Sequence, residues 1–368
     1  MAGASAAWFL AGEGSVLLLE MESQPGYHTT GRSAALFAEA YGNAPIRALT
    51  SGGRPFMMTP PDGFSETPIL TPRGALFIGR EDQATALDDT FKTGSEYLDS
   101  MERLNAAEVR ELIPILREGY AAGGVLEANA MDIDVNALHQ GFLRGARAKG
   151  CELRQDAQVT GLRRENGAWR ISVGGDDIIA GVVINAAGAW CDKVADLAGA
   201  RRVGLVPKRR TALLIDGPTD MPFLDWPAFV DADEQFYARP ESGALLASPA
   251  DETPMEPCDV QPDELDIAIA IDRLQQATTL EVKRVIRSWA GLRSFVGDKT
   301  PVVGFDPEID GFFWLAGQGG YGIQTAPSMG RVSAALATGG DIPDDLKSFG
   351  LKASDLSPSR FKSGPAER

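Results

Sequence analysis

Histidine and cysteine are nearly absent from this chain. Two histidines, His28 and His139, and three cysteines, Cys151, Cys191 and Cys258, are scattered over 368 residues. With no C-x-x-C pair and no Cys/His spacing suited to a metal ion, no metal site is expected. The same cysteine usage fits reducing, cytoplasmic surroundings. No apolar run reaches the roughly 18 residues of a membrane-spanning helix. The apolar start from Ala2 to Ala11 lacks the basic residues that open a signal sequence and is read as part of the fold. Positive charge is also short. The 35 lysines and arginines face 51 acidic residues, a formal net charge of -16, which argues against nucleic acid as a partner because phosphate binding needs a basic face. What remains, 44% apolar and 23% charged residues, is the composition of a globular protein with a substantial core.

The most informative stretch lies near the end. The apolar run Phe312-Phe313-Trp314-Leu315-Ala316 gives way to Gly317-Gln318-Gly319-Gly320-Tyr321-Gly322-Ile323-Gln324-Thr325 and then to small and apolar residues at helical spacing. This reads as a buried strand, a glycine-rich turn and a helix whose free N–H groups and positive dipole end face something anionic. A tight strand-to-helix turn without a ligand is the competing reading. At the other end, a helix of small residues through Ala11 precedes the strand Val16 to Glu20. In a dinucleotide-binding βαβ unit, a third glycine opens such a helix and an acidic residue ends the next strand. Gly3 and Glu20 have that spacing. The first strand and first two glycines of such a unit are not among these residues, and an N-terminally shortened form of a complete unit is the expectation.

The loop Gln24 to Ala35, containing His28, Thr29, Thr30, Gly31, Arg32, Ser33 and Ala34, has amides and hydroxyls suited to a phosphate or ring edge, and Arg32 suits a phosphate. Tyr41 to Tyr120 reads as a peripheral insertion of strands such as Ala75 to Ile78 and charged helices around 82–104 and 106–116. His139 falls on an amphipathic helix and is read as a packed or surface residue. Val182-Val183-Ile184 reads as a buried parallel strand leading into Asn185-Ala186-Ala187-Gly188-Ala189-Trp190, where small residues leave the backbone open to a ligand or to close packing. Leu205 to Ile215, Gln235 to Tyr237 and Ala244 to Ser248 alternate as in an antiparallel sheet, interrupted by a helix over 262–279. Arg210 and Arg293 lie in apolar surroundings and need a carboxylate or phosphate from the protein or from a substrate. The polar segment after about Asp341 reads as a mobile tail.

Taken together, Gly3 with Glu20, the loop from His28 to Ala35, Asn185-Ala186-Ala187-Gly188-Ala189-Trp190-Cys191-Asp192, Pro207-Lys208-Arg209-Arg210, Trp289 to Phe295 and Gln318 to Thr325 resemble the D-amino-acid oxidase/dehydrogenase family of FAD-dependent flavoproteins. The likeness runs over nearly the whole chain, towards the D-arginine dehydrogenase branch. It implies an α/β fold, in which a discontinuous Rossmann-like FAD-binding domain without its first strand (1–48, 131–204 and 290–345) carries an inserted antiparallel β-rich, α+β substrate domain (49–130 and 205–289), followed by a tail (346–368). It also implies non-covalent FAD, with Gly3 among the cofactor-binding residues, Glu20 on the adenosine ribose, Val159 by the adenine, Thr29, Thr30, Arg32, Ser33, Ala34, Ala187 and Gly188 along the cofactor, and Gly319, Gly320, Tyr321, Gly322, Ile323, Gln324 and Thr325 at the flavin ring.

For the substrate, the matching family positions are Tyr41, Arg210, Tyr237, Arg293, Gly320 and Gln324. The resemblance implies oxidative deamination of a D-amino acid by hydride transfer from Cα to flavin N5, giving an imino acid that hydrolyses to a 2-oxo acid and ammonia. Where the arginine-specific enzymes carry a glutamate that reads the distal guanidinium, this chain has Ala75. Their pocket histidine and threonine align with Leu36 and Ala38, and a methionine aligns with Ala228. Those departures predict apolar or uncharged side chains. Two alternatives stay open: an oxidase or dehydrogenase of sarcosine, glycine or a 2-hydroxy acid, and a catalytically inactive truncated homologue. The electron acceptor, whether quinone, carrier or oxygen, is not readable from the sequence.

Overall fold

The described strands form five sheets, and those of an α/β part and of one large sheet carry the site. The structure, a computed structural model, describes residues 1–361. In the α/β part, Leu17–Leu19 pairs parallel with Glu152–Arg154, and Val183–Asn185 pairs parallel with Phe312–Ala316, which runs antiparallel to Val302–Phe305. Among the described residues no strand bonds Leu17–Leu19 to Val183–Asn185. Phe312–Ala316 is buried on both faces. Phe312 and Trp314 enter one hydrophobic cluster and Phe313 and Leu315 another, as the two-residue period of a central strand requires. Val183–Asn185 is only half-covered and Val182 is exposed, so the fully buried strand expected there is half open.

Helix Ala2–Leu10 crosses helix Ala326–Ala337 closely enough that a Cβ on Gly330 would lie 2.8 Å from the Ser5 carbonyl oxygen and 2.7 Å from Phe9 Cδ2. Only glycine permits that approach. Helix Val135–Ala148 flanks the same helix, and His139 is buried.

The second body is a nine-stranded sheet. Its spine is the long antiparallel pair Val206–Ile215 with Val285–Phe295, continued through Ala244–Ser248, Tyr237–Glu241 and Ala228–Asp231 to Ala75–Gly79, Gly123–Glu127 and Met101–Asn105. One junction departs from the antiparallel sheet expected: Ala228–Asp231 runs parallel to Ala75–Gly79. The chain between them is long enough for the crossover that a parallel pair needs. That junction also joins the three strands of 75–127 to the sheet, so the segment read as a peripheral insertion is an integral part of it, three strands of nine. The helix expected over 82–104 ends at Ser95, and Met101–Asn105 is an edge strand with the Met101 side chain under Gly94. The segment from 346 to 361, expected as part of a mobile tail, is packed chain. Leu346, Leu351 and Leu356 are buried in the cluster that holds Phe313 and Leu315, three apolar anchors whose spacing is masked by the polar residues around them. Residues 362–368 of that tail lie outside the described residues. Among the described residues no helix is long and apolar enough to cross a membrane.

Gly330→Ala is expected to lower folding stability by about 1–3 kcal/mol, since a backbone oxygen cannot yield to the added methyl. Denaturant unfolding reads this, and wild-type stability in the variant would mean that the helices can part without cost.

Candidate active site

Two cavities meet where the glycine-rich turn, the loop 24–35 and the large sheet converge. One, of about 280 Å³, lies between the large sheet and the glycine turn; the other, of about 1260 Å³, lies between the two halves of the parallel layer. Thr29, Thr30, Ala186, Gly188 and Ala189 line both, so the two form one elongated cleft with a waist. An elongated cleft with two chemically different ends suits a dinucleotide better than a compact ligand.

The waist is held rigidly. Thr29 Oγ1 donates to the Leu292 carbonyl (3.2 Å), and Trp289 Nε1 donates to the Arg32 carbonyl (2.9 Å). The Arg32 guanidinium, expected to suit a phosphate, is largely engaged by the protein itself. It donates to the carbonyls of Tyr27, Val260 and Ala290 and pairs with Asp259, so its bonding capacity goes to pinning the loop against strand Val285–Phe295. Ser33 and Ala34 line the smaller cavity.

Gly3, Glu20, Val159, Ala187 and Gly188 line the larger cavity. Gly3 sits at the crossing of the first helix with the strands, where a Cβ would come 3.1 Å from Leu18 Cδ1. Glu20 follows Leu17–Leu19 and accepts the Glu22 N–H at 3.1 Å. His28 also borders this cavity, its Nε2 2.7 Å from Glu22 and its ring against Trp190. His139, further along the same wall, is pulled down to about 3 by burial and by the nearby Met1 amino group, and is neutral.

In the smaller cavity, Gly319, Gly320, Gly322, Ile323 and Gln324 contribute lining, but Tyr321 and Thr325 do not. Tyr321 is turned inward between Tyr41 and Phe295, and the Thr325 hydroxyl bonds the Tyr321 carbonyl. The period of the turn, which the glycines obscure in the sequence, sends these two behind the cavity wall. Regular helix starts only at Ala326. The N–H groups of Gly322, Ile323 and Gln324 find no backbone acceptor among the described residues, and they lie along the cavity wall as a row of donors. The Gln324 side chain is engaged elsewhere, with Ala38 and with Thr50 Oγ1 (2.9 Å).

Tyr41, Arg210, Tyr237 and Arg293 all reach this cavity. Lys208 faces Arg293 across the antiparallel pair, so Arg210, two residues on, shares its sheet face as a diagonal neighbour. The two arginines differ in their partners. Arg210 donates to the Asp251 carbonyl at 2.8 Å and lies 3.5 Å from Glu252. Arg293 has no carboxylate partner among the described residues. Burial works against its charge, but Tyr41 and Tyr237 beside it and, least of these, the Glu234 carboxylate on the same cavity hold its pKa above the ordinary value, and the Tyr41 phenol bonds it. Its guanidinium lies on Gly320, where a Cβ would be 2.6 Å from Cζ. An always-charged fork that makes no ion pair among the described residues, on the wall of a cavity, is chemically suited to a carboxylate.

Leu36, Ala38, Ala75 and Ala228, scattered in sequence, come together on the wall of this cavity, with Phe77 and Val230 beside them. Sequence reasoning missed two charged residues here. Arg239 is paired with Asp132 and Glu241, and Glu234 stands exposed at a turn. Glu234 sits in the left-handed region (φ 54°), which no residue type at that position signals.

A family model described as "FAD dependent oxidoreductase" (DAO) matches residues 1–336. The chain is 28% identical to a glycine oxidase of Bacillus licheniformis over 253 residues, covering 67% of this chain and 64% of that protein. It is 30% identical over 191 residues to FAD-dependent oxidoreductase domain-containing protein 1 of Xenopus laevis, covering 46% of this chain and 38% of that protein. The matched region thus spans less than two thirds of the length of either relative. In fold, it superposes on glycine oxidase from Geobacillus kaustophilus with a TM-score of 0.84 at 19% identity, over 98% of this chain and 96% of that one.

Gly320→Ala is expected to push the Arg293 guanidinium off the turn and weaken binding of a simple carboxylate roughly tenfold or more, as loss of a charged hydrogen bond would. Titration calorimetry measures it. Unchanged affinity would mean that Arg293 is not the carboxylate receptor.

Proposed function

The chain belongs to the family of FAD dependent oxidoreductases, and from that premise we propose that it oxidises an amino acid at Cα, a D-amino acid with an apolar or uncharged side chain. The observation that supports this reading is Arg293, a fixed cation without a protein carboxylate, at the floor of a cavity walled by small apolar residues. The residues fit FAD: the cleft is elongated, the backbone is bare at Gly188, and free N–H groups line the glycine turn. Glu20 and Val159 would hold the adenosine end, Gly3, Thr29, Thr30, Ser33, Ala34 and Ala187-Gly188 the middle, and Gly319, Gly320, Gly322, Ile323 and Gln324 the ring. When bound, FAD supplies the acceptor for the hydride that leaves Cα.

The chain's own residues contribute position. Arg293 takes the substrate carboxylate as a bidentate pair, with the Tyr41 phenol fixing the plane of the fork, so that one face of Cα is held towards the glycine turn. Arg210, already tied to Asp251 and Glu252, adds positive field rather than a second clamp. Tyr237 closes the opposite side and limits water. The N–H row of Gly322, Ile323 and Gln324 favours negative charge accumulating beside it. The one carboxylate in the lining of the smaller cavity, Glu234, is exposed to solvent, so the ammonium proton passes to water. Ala38, Ala75 and Ala228 leave room for a branched or aromatic side chain and offer a charged one no partner. This sets the chain apart from the D-arginine dehydrogenase branch.

A second reading, glycine or sarcosine as substrate, is favoured by the likeness to glycine oxidases. The two differ in how the apolar wall is used. With D-leucine, D-phenylalanine, glycine, sarcosine and D-arginine compared by kcat/KM, D-leucine and D-phenylalanine are expected to exceed the others by about tenfold or more, the worth of one or two buried methylenes upwards. Arg293→Met should lower kcat/KM for all of them at least a hundredfold. Faster turnover of D-arginine, or of glycine, would overturn the side-chain assignment.

A further inference from the structure

The bend that leads from Phe37 to Tyr41 is gripped by two buried side chains from opposite directions. From the glycine turn, Gln324 accepts the Ala38 N–H and donates to the Ala38 carbonyl, each at 3.3 Å. From strand Gly123–Glu127, the Glu127 carboxylate, 1% exposed, accepts the N–H of Glu39 at 2.6 Å and of Ala40 at 3.4 Å. Tyr41 comes next, with its own N–H 3.4 Å from the Ala38 carbonyl and its phenol on Arg293. Glu127 lines neither cavity; it acts on the site only through this bend.

We propose that Glu127 is a positioning residue for the substrate site, its ionised carboxylate fixing the bend that presents Tyr41 to Arg293. The inference rests on the reading of Arg293 and Tyr41 as the carboxylate clamp. An ionised carboxylate accepts both N–H groups, one on each oxygen; a protonated one turns one oxygen into a hydroxyl that faces an N–H as a donor and a weaker acceptor, so one of the two bonds is weakened. The charged groups around it are few. Glu39 sits on the bend itself and is paired with Arg54 from helix Ala44–Met58. The register neighbours on the adjoining strands, Ala75 and Met101, carry no charge, nor do Gln324 and Thr50 at the bend. Burial pushes the Glu127 carboxyl up to about 7, against the pull of the Glu39 and Ala40 N–H groups; Glu39 adds to the rise and Arg54 opposes it.

Two consequences follow, of opposite sign. Substrate-site affinity falls as pH drops through about 7, because one of the two bonds to the bend is weakened. Folding stability runs the other way. A carboxyl whose folded value lies above its ordinary 4.5 binds its proton more tightly when folded, so its contribution is present below about 4.5 and is lost as pH rises to about 7. At alkaline pH the ionised Glu127 therefore costs stability while serving the site.

The test uses the FAD-loaded protein and 4-methylpentanoate, a carboxylate without an amine that stays ionised above about pH 6. Calorimetric Kd in the wild type is expected to rise roughly two- to tenfold from about pH 8.5 to about pH 6, the worth of one hydrogen bond. Glu127→Gln should bind with the weak, low-pH affinity at both values and yet melt at a higher temperature than wild type at the alkaline one. A packing role alone would not produce that combination. Tyr41→Phe, which leaves Glu127 intact, should flatten the wild-type dependence. A Glu127→Gln protein that keeps the wild-type slope, or that melts lower with unchanged affinity, would overturn the proposal. So would a Tyr41→Phe protein that keeps the slope, a result available even if the first variant does not fold. Undiminished affinity in Arg293→Met, or no binding to the wild type at either pH, would instead sink the clamp reading beneath it, and the proposal with it.

Discussion

A guanidinium kept largely out of water without a carboxylate beside it is expensive, and much of this structure is arranged around holding Arg293 in that condition. The strand that carries it is the longest in the large sheet, paired along its length with Val206–Ile215, so the backbone cannot shift to give the side chain to solvent. Gly320 offers no side chain to displace it, and the Gly319 N–H donates to the neighbouring Ser294 carbonyl at 2.9 Å. Tyr41 and Tyr237 stabilise the charge without neutralising it. The outcome is a cavity with a guanidinium on its wall that no ion pair among the described residues neutralises.

That arrangement requires the two sheet bodies to be locked together. Arg32 does this with four of its five N–H donors. It ties the loop 24–35 to Ala290, on the Arg293 strand, and to Val260 and Asp259 beyond. Gln324 ties the glycine turn to Ala38, and Glu127 ties the same bend to the large sheet. Three side chains that look like ligand residues or surface charges in the sequence are therefore fasteners. Removing any one would move the cofactor cleft relative to the substrate cavity, a displacement to which catalysis by positioning is sensitive.

The sequence made the glycine turn, its flanking strand and helix, and the alternating strands Leu205 to Ile215 and Ala244 to Ser248 legible, because each rests on local chemistry: period and glycine placement. What it hid is set by distant partners. Nothing near Arg32 announces Asp259, and nothing near Glu127 announces the N–H groups of Glu39 and Ala40, so a pinned arginine reads as a phosphate ligand and a buried carboxylate as an ordinary strand residue. Tyr321 and Thr325 belong to the right segment, yet the turn's own geometry faces them away from the cavity. The packing of Leu346, Leu351 and Leu356 escaped notice because three leucines among polar residues show no period until Phe313 and Leu315 provide the surface they cover.

The central claim is that this cleft holds a flavin next to a cavity that binds an amino acid by its carboxylate. The most direct measurement is the anaerobic visible spectrum of the FAD-loaded protein before and after addition of D-leucine, with L-leucine in a parallel cell. The account predicts that the oxidised flavin bands bleach with D-leucine and persist with L-leucine. Persistence of the bands with both, or bleaching by the L-enantiomer alone, would contradict it.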